Sequence, residues 1–155
     1  MTSTFTVITR TRHAAERLFD LSLSIDEHLG SMAKSGEQAI AGVTSGQIGL
    51  GETVTWRARH FGLWFTMTSR ITALERPHRF VDEQTSGPFA AFRHVHTFEQ
   101  SPDSEPSRQT VMTDNITVAS PVFGRMAERL VLVPYLRRLI AQRNHHLVRH
   151  LDAHS

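Results

Sequence analysis

Apolar and polar residues alternate through the middle of this chain and recur every three or four residues at its end. Residues 4–9, Thr-Phe-Thr-Val-Ile-Thr, are β-branched or aromatic and predict a first strand. Ala14, Leu18 and Leu21 then share one face of a short helix over residues 13–20. Ser24 is placed to cap a second short helix, with Glu27 three residues on as a capping box; this helix stops near Gly36. From there the period becomes two, and strands are predicted over residues 38–43, 52–61, 63–71, 79–85, 89–99 and 109–119. Val54, Trp56 and Ala58 point one way, against Thr53, Thr55, Arg57 and Arg59. Leu63, Phe65, Met67 and Ile71 share a face against Thr66, Thr68 and Arg70. Gly42, Gly46, Gly49 and Gly51 punctuate one turn, residues 76–78 and 86–88 make two more, and residues 101–108 form a polar loop. Pro121 opens a helical segment carrying Phe123, Met126, Ala127 and Leu130. Pro134 either interrupts this segment or starts a second helix. Beyond it Leu136, Leu139, Ile140, Leu147 and Leu151 form an apolar stripe.

The order is strand, two short helices, about six antiparallel strands and a long helix, an α+β arrangement with about seven strands. A sheet with one apolar face needs a cover, and only the C-terminal helix is long enough. Curling the sheet around that helix gives a grip with a hollow centre, closed at one end by the small helices. No repeat, low-complexity tract or linker divides the chain, so residues 1–155 are expected to form a single domain.

Composition narrows the function classes. Apolar residues make up 39% and charged residues 21%, which excludes a disordered chain, and no apolar run approaches membrane-spanning length. The absence of cysteine removes disulfides, thiolate metal sites and cysteine nucleophiles. With no secretory leader pattern at the N-terminus, a cytoplasmic location is expected. The sequence pI is near 9.9, yet the formal net charge is only +2. Nearly all the basic residues are arginine, with Lys34 the sole lysine and Tyr135 the sole tyrosine, so little titrates between neutrality and the arginine range. The high pI therefore gives no case for nucleic acid. The ten histidines are the more informative excess.

The stretch from Gly42-Val43-Thr44-Ser45-Gly46 through Gly51-Glu52-Thr53-Val54-Thr55-Trp56 resembles the glycine-punctuated second hairpin of bacterial members of the START-like, or SRPBCC, superfamily. His60-Phe61-Gly62 and Pro77-His78-Arg79-Phe80-Val81-Asp82 look like the turns that follow. Gly87-Pro88-Phe89, ahead of His94-Val95-His96-Thr97-Phe98, looks like the strand pair leading to the final hairpin. The resemblance covers nearly the whole chain. It implies a helix-grip fold and a cavity for a hydrophobic ligand, in some members with cyclisation or dehydration of a bound polyketide. It carries no catalytic set over, because the superfamily hosts many activities.

Strand parity supplies candidate chemistry. If Phe92 and Phe98 face the cavity, so do His94 and His96. A symmetric closure at 101–108 places His94 opposite Asp114, on one face with Met112, Ile116 and Val118. The turn at 86–88 places Glu83 opposite Phe92. The expected polar row is Glu83, His94, His96 and Asp114, joined by His60, in an apolar cup. His94 with Asp114 or Glu83 could perform general acid–base catalysis of a cyclase or dehydratase type. Two histidines and a carboxylate also suit a divalent metal, though no metal set is assigned. A structural or ligand-orienting role competes with both. Trp56, His60, Phe65, Met67, Phe89, Phe92, His96, Phe98 and Met112 are the candidate ligand lining, against the plainer reading of core packing. Asp26 and His28 could gate the mouth, with stabilisation of the helix N-terminus as the competing role of Asp26. The glycines around residue 46 lack the lysine of a phosphate loop and precede a strand. Arg137, Arg138, Arg143, Arg149, His145, His146 and His150 read as a solvated basic helix face rather than a nucleic-acid or membrane surface.

The leading expectation is therefore binding of a hydrophobic or aromatic small molecule, polyketide-, acyl- or lipid-like, without an organic cofactor. An enzyme, and a partner-binding module with a collapsed cavity, are the alternatives. Neither nucleic-acid binding nor stable membrane insertion is expected, and a homodimer stays open.

Overall fold

A computed structural model describes residues 2–101, 109–120 and 124–155. Residues 102–108 of the polar loop expected at 101–108, and residues 121–123 of the helical segment expected to open at Pro121, lie outside the described residues. Strand β1 (Ser3–Thr11) leads to helices α1 (Ala15–Ser22) and α2 (Ile25–Ser31). Strands β2 (Gln38–Gly42), β3 (Thr53–His60), β4 (Leu63–Glu75), β5 (Arg79–Ser86), β6 (Ala91–Gln100) and β7 (Thr110–Ala119) follow. The chain ends in a helical rod. It comprises a single turn α3 (Arg125–Ala127), a π-helical turn Glu128–Leu132 and the long helix α4 (Val133–Ala153).

The strands form one antiparallel sheet in the order β1-β7-β6-β5-β4-β3-β2. The first and second strands are consecutive in sequence yet occupy opposite edges, so α1 and α2 must cross from one edge to the other. Each later strand pairs with the one before it. The turn between β3 and β4 is the two-residue loop Phe61-Gly62, with φ of 53° and 76°. Positive φ at both positions is the hairpin geometry that matches strand twist. Gly42 is needed for a different reason: a Cβ there would come within 2.1 Å of the Thr53 carbonyl oxygen.

The helix signals hold. Ser24 Oγ accepts from Glu27 N at 3.2 Å, as a cap should. The reciprocal half of the box does not appear, because the Glu27 carboxylate instead meets His146 at 3.1 Å and His150 at 3.3 Å on α4. Pro134 neither breaks the rod nor separates two helices. It sits in the first turn of α4, and the wider π turn just before it accommodates the missing N–H and the ring. Two contacts moor the start of the rod: Glu128 is buried and accepts from Ser120 N at 3.2 Å and from Ser3 Oγ. Further along, Arg137 donates to Thr6 O at 2.7 Å. At the far end His13 meets Asp152 at 2.6 Å.

Packing is uneven along the grip. Leu18 and Phe19 of α1, Phe80, Phe98 and Met112 of the sheet, and Leu147 and Leu151 of α4 form a closed apolar core. Phe19 makes edge-on contacts with Phe80 and Phe98, centroids 5.6 and 5.1 Å apart. Toward the other end, Phe65, Met67 and Phe92 lie on the same inner face but are only half-buried, as are Tyr135, Leu136 and Ile140 of the helix. Among the described residues, no helix is long and apolar enough to cross a membrane.

Candidate functional site

Between the closed core and the half-buried end lies a group of buried polar side chains. Strand pairing places Asp82 opposite His94, and His96 opposite Asp114, on the inner face of β5, β6 and β7. Helix α4 adds Arg143 and Asn144. Asp114 is fully buried, and His94, His96, Arg143 and Asn144 are each no more than 5% exposed.

Asp114 is the hub. Its Oδ1 accepts from His94 Nε2 at 2.7 Å and from Arg143 Nη2 at 2.9 Å; its Oδ2 accepts from Asn144 Nδ2 at 2.7 Å. Asn144 in turn accepts from Arg143 Nε and Nη2 at 3.0 and 2.7 Å, and donates to Thr9 Oγ1 at 3.0 Å. Asp82 accepts from His96 Nε2 at 2.6 Å. The two imidazoles stack with centroids 3.7 Å apart, and Phe80 stacks on the outer side of His96 at 4.0 Å. Each ring therefore lies between the two carboxylates and bonds one of them. The remaining nitrogens are poorly served. His94 Nδ1 lies 4.0 Å from Asp82 Oδ2. His96 Nδ1 lies 3.1 Å from Asp114 Oδ1 but off the line of a hydrogen bond, so among the described residues this buried polar atom has no hydrogen-bond partner.

These surroundings set the protonation states. Burial, reinforced by the neighbouring His96, outweighs the hydrogen bond to Asp114 and pulls His94 down to about 4, so its imidazole is neutral at neutral pH. Burial works to raise Asp114. The Arg143 guanidinium, the hydrogen bond from His94 and the close contact with His96 overcome it and hold that carboxyl well below its usual range. Asp82 follows the same pattern: burial opposes, the His96 hydrogen bond and the neighbouring His94, His96 and Arg143 prevail, and its pKa is lowered.

The candidate residues divide accordingly. His94, His96 and Asp114 come together, although the β6–β7 register is shifted by two residues from the expected one, which preserves the face. Glu83 does not join them and the expectation is corrected. It sits opposite Arg93, not Phe92, and its carboxylate lies 3.4 Å from Arg93 Nε on the outer face. A one-residue shift in register exchanges the faces, so Asp82 takes the inner position. Glu83→Gln is accordingly expected to change unfolding free energy by less than about 0.5 kcal/mol, measured by urea denaturation, since exposed ion pairs contribute little. His60 stands apart from the row, half-buried, with Nδ1 2.5 Å from the Tyr135 hydroxyl. Trp56, Phe98 and Met112 belong to the closed core. Asp26 accepts from Gly46 N at 2.9 Å and His28 packs on Trp56, centroids 4.3 Å apart, so both are committed to structure.

Arg143 corrects the reading of α4 as a uniformly solvated basic face, because it turns inward at 5% exposure. The signal for it was a gap. The apolar stripe skips from Ile140 to Leu147, and helical spacing places residues 143 and 144 in that interval. Surface recesses of about 590 and 350 Å³ lie elsewhere: one between α1 and the β6 end around Phe98 and Gln100, the other between Arg10 and Asp152. Neither is lined by the polar group.

A curved seven-stranded antiparallel sheet closed on a C-terminal helix, with two short helices after the first strand, is a helix-grip fold. Among solved structures the chain is similar to TTHA0849 from Thermus thermophilus, with TM-score 0.72 and 14% identity over 99% of this chain and 100% of that one. It is also similar to Ara h 8.0201, with TM-score 0.64 and 10% identity over 96% and 99%. Ginseng major latex-like protein 151 from Panax ginseng gives TM-score 0.65 and 13% identity over 96% and 97%. Identities this low establish a shared fold. No protein-family model matches the chain, and a search of curated proteins finds no match.

Proposed function

We propose that the grip binds a hydrophobic or aromatic small molecule, of polyketide, acyl or lipid type, with its polar end turned toward the Asp82–His94–His96–Asp114 group. One observation carries this reading: inward-facing Phe65, Met67 and Phe92 are left half-buried beside a polar cluster in which His94, His96 and Asp114 are buried. Apolar surface left wet inside a fold is surface a ligand can cover, at about 25 cal/mol per Å² removed from water. A few fixed polar groups then set its orientation.

A second reading, a cyclase- or dehydratase-like enzyme, is favoured by the tautomer of His94. Its Nε2–H is held by Asp114, which leaves Nδ1 as a proton acceptor. The lowered basicity of His94 argues for orientation over proton abstraction at neutral pH.

Binding is tested with the fluorescent probe 1-anilinonaphthalene-8-sulfonate, alongside native mass spectrometry of freshly purified protein. Saturable binding by the wild type is expected to weaken about 10- to 100-fold in Phe92→Ala, the loss corresponding to one large apolar contact. A wild type that binds no probe and carries no co-purified small molecule, or Phe92→Ala binding undiminished, would reject the proposal.

A further inference from the structure

We infer that Asp82, His94 and His96 form a binding site for a divalent transition-metal ion, with Asp114 as the acceptor that orients both histidines. The three side chains each present a ligand atom, and these atoms lie within 4.8 Å of one another. Two imidazoles and one carboxylate are a donor set for zinc, cobalt(II) or iron(II), and its mixed nitrogen and oxygen character disfavours calcium or magnesium.

The independent observation is the orphaned His96 Nδ1, on a side chain 1% exposed. With a neutral imidazole, the Nε2–H of His96 donates to Asp82 and Nδ1 is left as a buried lone pair 3.1 Å from the Asp114 carboxylate, off the line of a hydrogen bond. A metal between Asp82 and the two rings removes that conflict. His96 Nε2 becomes a ligand, and its proton moves to Nδ1, where it can be donated to Asp114. His94 already has the matching form, with Nε2–H on Asp114 and the Nδ1 lone pair on the Asp82 side. Both histidines would then bind metal through one nitrogen and donate to the same carboxylate through the other, the arrangement that fixes ring orientation at metal centres. No proton is gained or lost in the exchange. Arg143 and Asn144 hold Asp114 from α4, so it is pre-positioned for this role.

Charge points the same way. Asp82 and Asp114 bring two negative charges into the interior and Arg143 one positive, which leaves one negative charge uncompensated when both imidazoles are neutral. A divalent ion reverses that excess, and the resulting positive site suits an anionic further ligand such as hydroxide, a carboxylate or a phenolate. Asp82 is the open side, with 21% of its side chain exposed.

The test needs no organic ligand, so it stands or falls separately from the small-molecule proposal. Protein stripped with a chelator is titrated with cobalt(II), read by ligand-field absorption, and with zinc, read by thermal shift. One equivalent per chain is expected, with affinity reduced at least about 10-fold in Asp82→Asn and in His94→Gln. The histidines at the end of the chain need a control, because half-buried His150 and exposed His154 stack one turn apart at 4.2 Å. The double variant His150→Ala, His154→Ala must retain the uptake; if uptake disappears with that pair, the proposal fails. Should the inner variants not fold, nitrogen-15 NMR of the wild type decides. Zinc is expected to move the His96 proton from Nε2 to Nδ1, and unchanged His94 and His96 signals at saturating zinc would overturn the site.

Discussion

Asp114→Asn is expected to lower the unfolding free energy by about 3–5 kcal/mol, the usual loss when one partner of a buried ion pair is removed. Four groups converge on this fully buried carboxylate: His94, His96, Arg143 and Asn144. The asparagine amide presents N–H groups to donors that need acceptors, and the Arg143 charge stays inside without its counter-ion. For a domain of this size the melting temperature should fall by roughly 6–20 °C. Arg143→Met is expected to do less harm. It strands the Asp114 charge instead, but that carboxylate keeps donors from Asn144 and His94 and can be neutralised by taking up a proton, which a guanidinium cannot. Thermal and urea denaturation of the two variants side by side check the order. A variant Asp114→Asn as stable as the wild type would show that the cluster is not the buried hub described above.

The second large effect is acid sensitivity, measured in chelator-treated, metal-free buffer. His94 is held neutral in the folded protein with its pKa near 4, whereas in an unfolded chain it titrates near 6.5. The unfolded state therefore binds the proton first. The contribution of this neutral histidine is complete above about pH 6.5 and is lost as pH falls toward 4, a gap worth about 3 kcal/mol. Asp82 and Asp114 act at lower pH. Their folded pKa values are depressed, so their stabilisation is present above about pH 4 and disappears as pH falls further. The expected stability curve is flat near neutrality and then falls in two stages. His94→Gln should flatten the first stage and spare the second. Equal slopes for wild type and His94→Gln between pH 6.5 and 4 would mean that His94 is not buried as a neutral ring.

The fold was legible because its two periods are clean. Alternation in residues 52–61 and 63–71 reports a sheet with one wet face, and the stripe through Leu147 and Leu151 reports the helix that covers it. The site was legible in part. Parity alone put His94, His96 and Asp114 on one face, and a two-residue error in the β6–β7 register left that conclusion untouched. The β5–β6 register was less forgiving. Its turn is longer than residues 86–88, and an error of one residue exchanged Asp82 for Glu83. Arg143 and Asn144 were hidden by their chemistry: polar residues in an apolar stripe read as interruptions until a buried carboxylate gives them something to hold. The role of Pro134 depended on the π turn before it, and no local pattern marks that turn.

The strand order also bears on how this polypeptide leaves the ribosome. The N-terminal strand finds its neighbour in β7, with Thr11 paired to Thr110 and Ser3 to Val118. At ordinary translation speeds of about 5–20 residues per second, that edge waits roughly 5–20 seconds for its mate to emerge. Arg143 is made later still, so Asp114 emerges on β7 before its counter-ion does. The sheet cannot close before β7 is made, and until then the β1 edge stands unpaired.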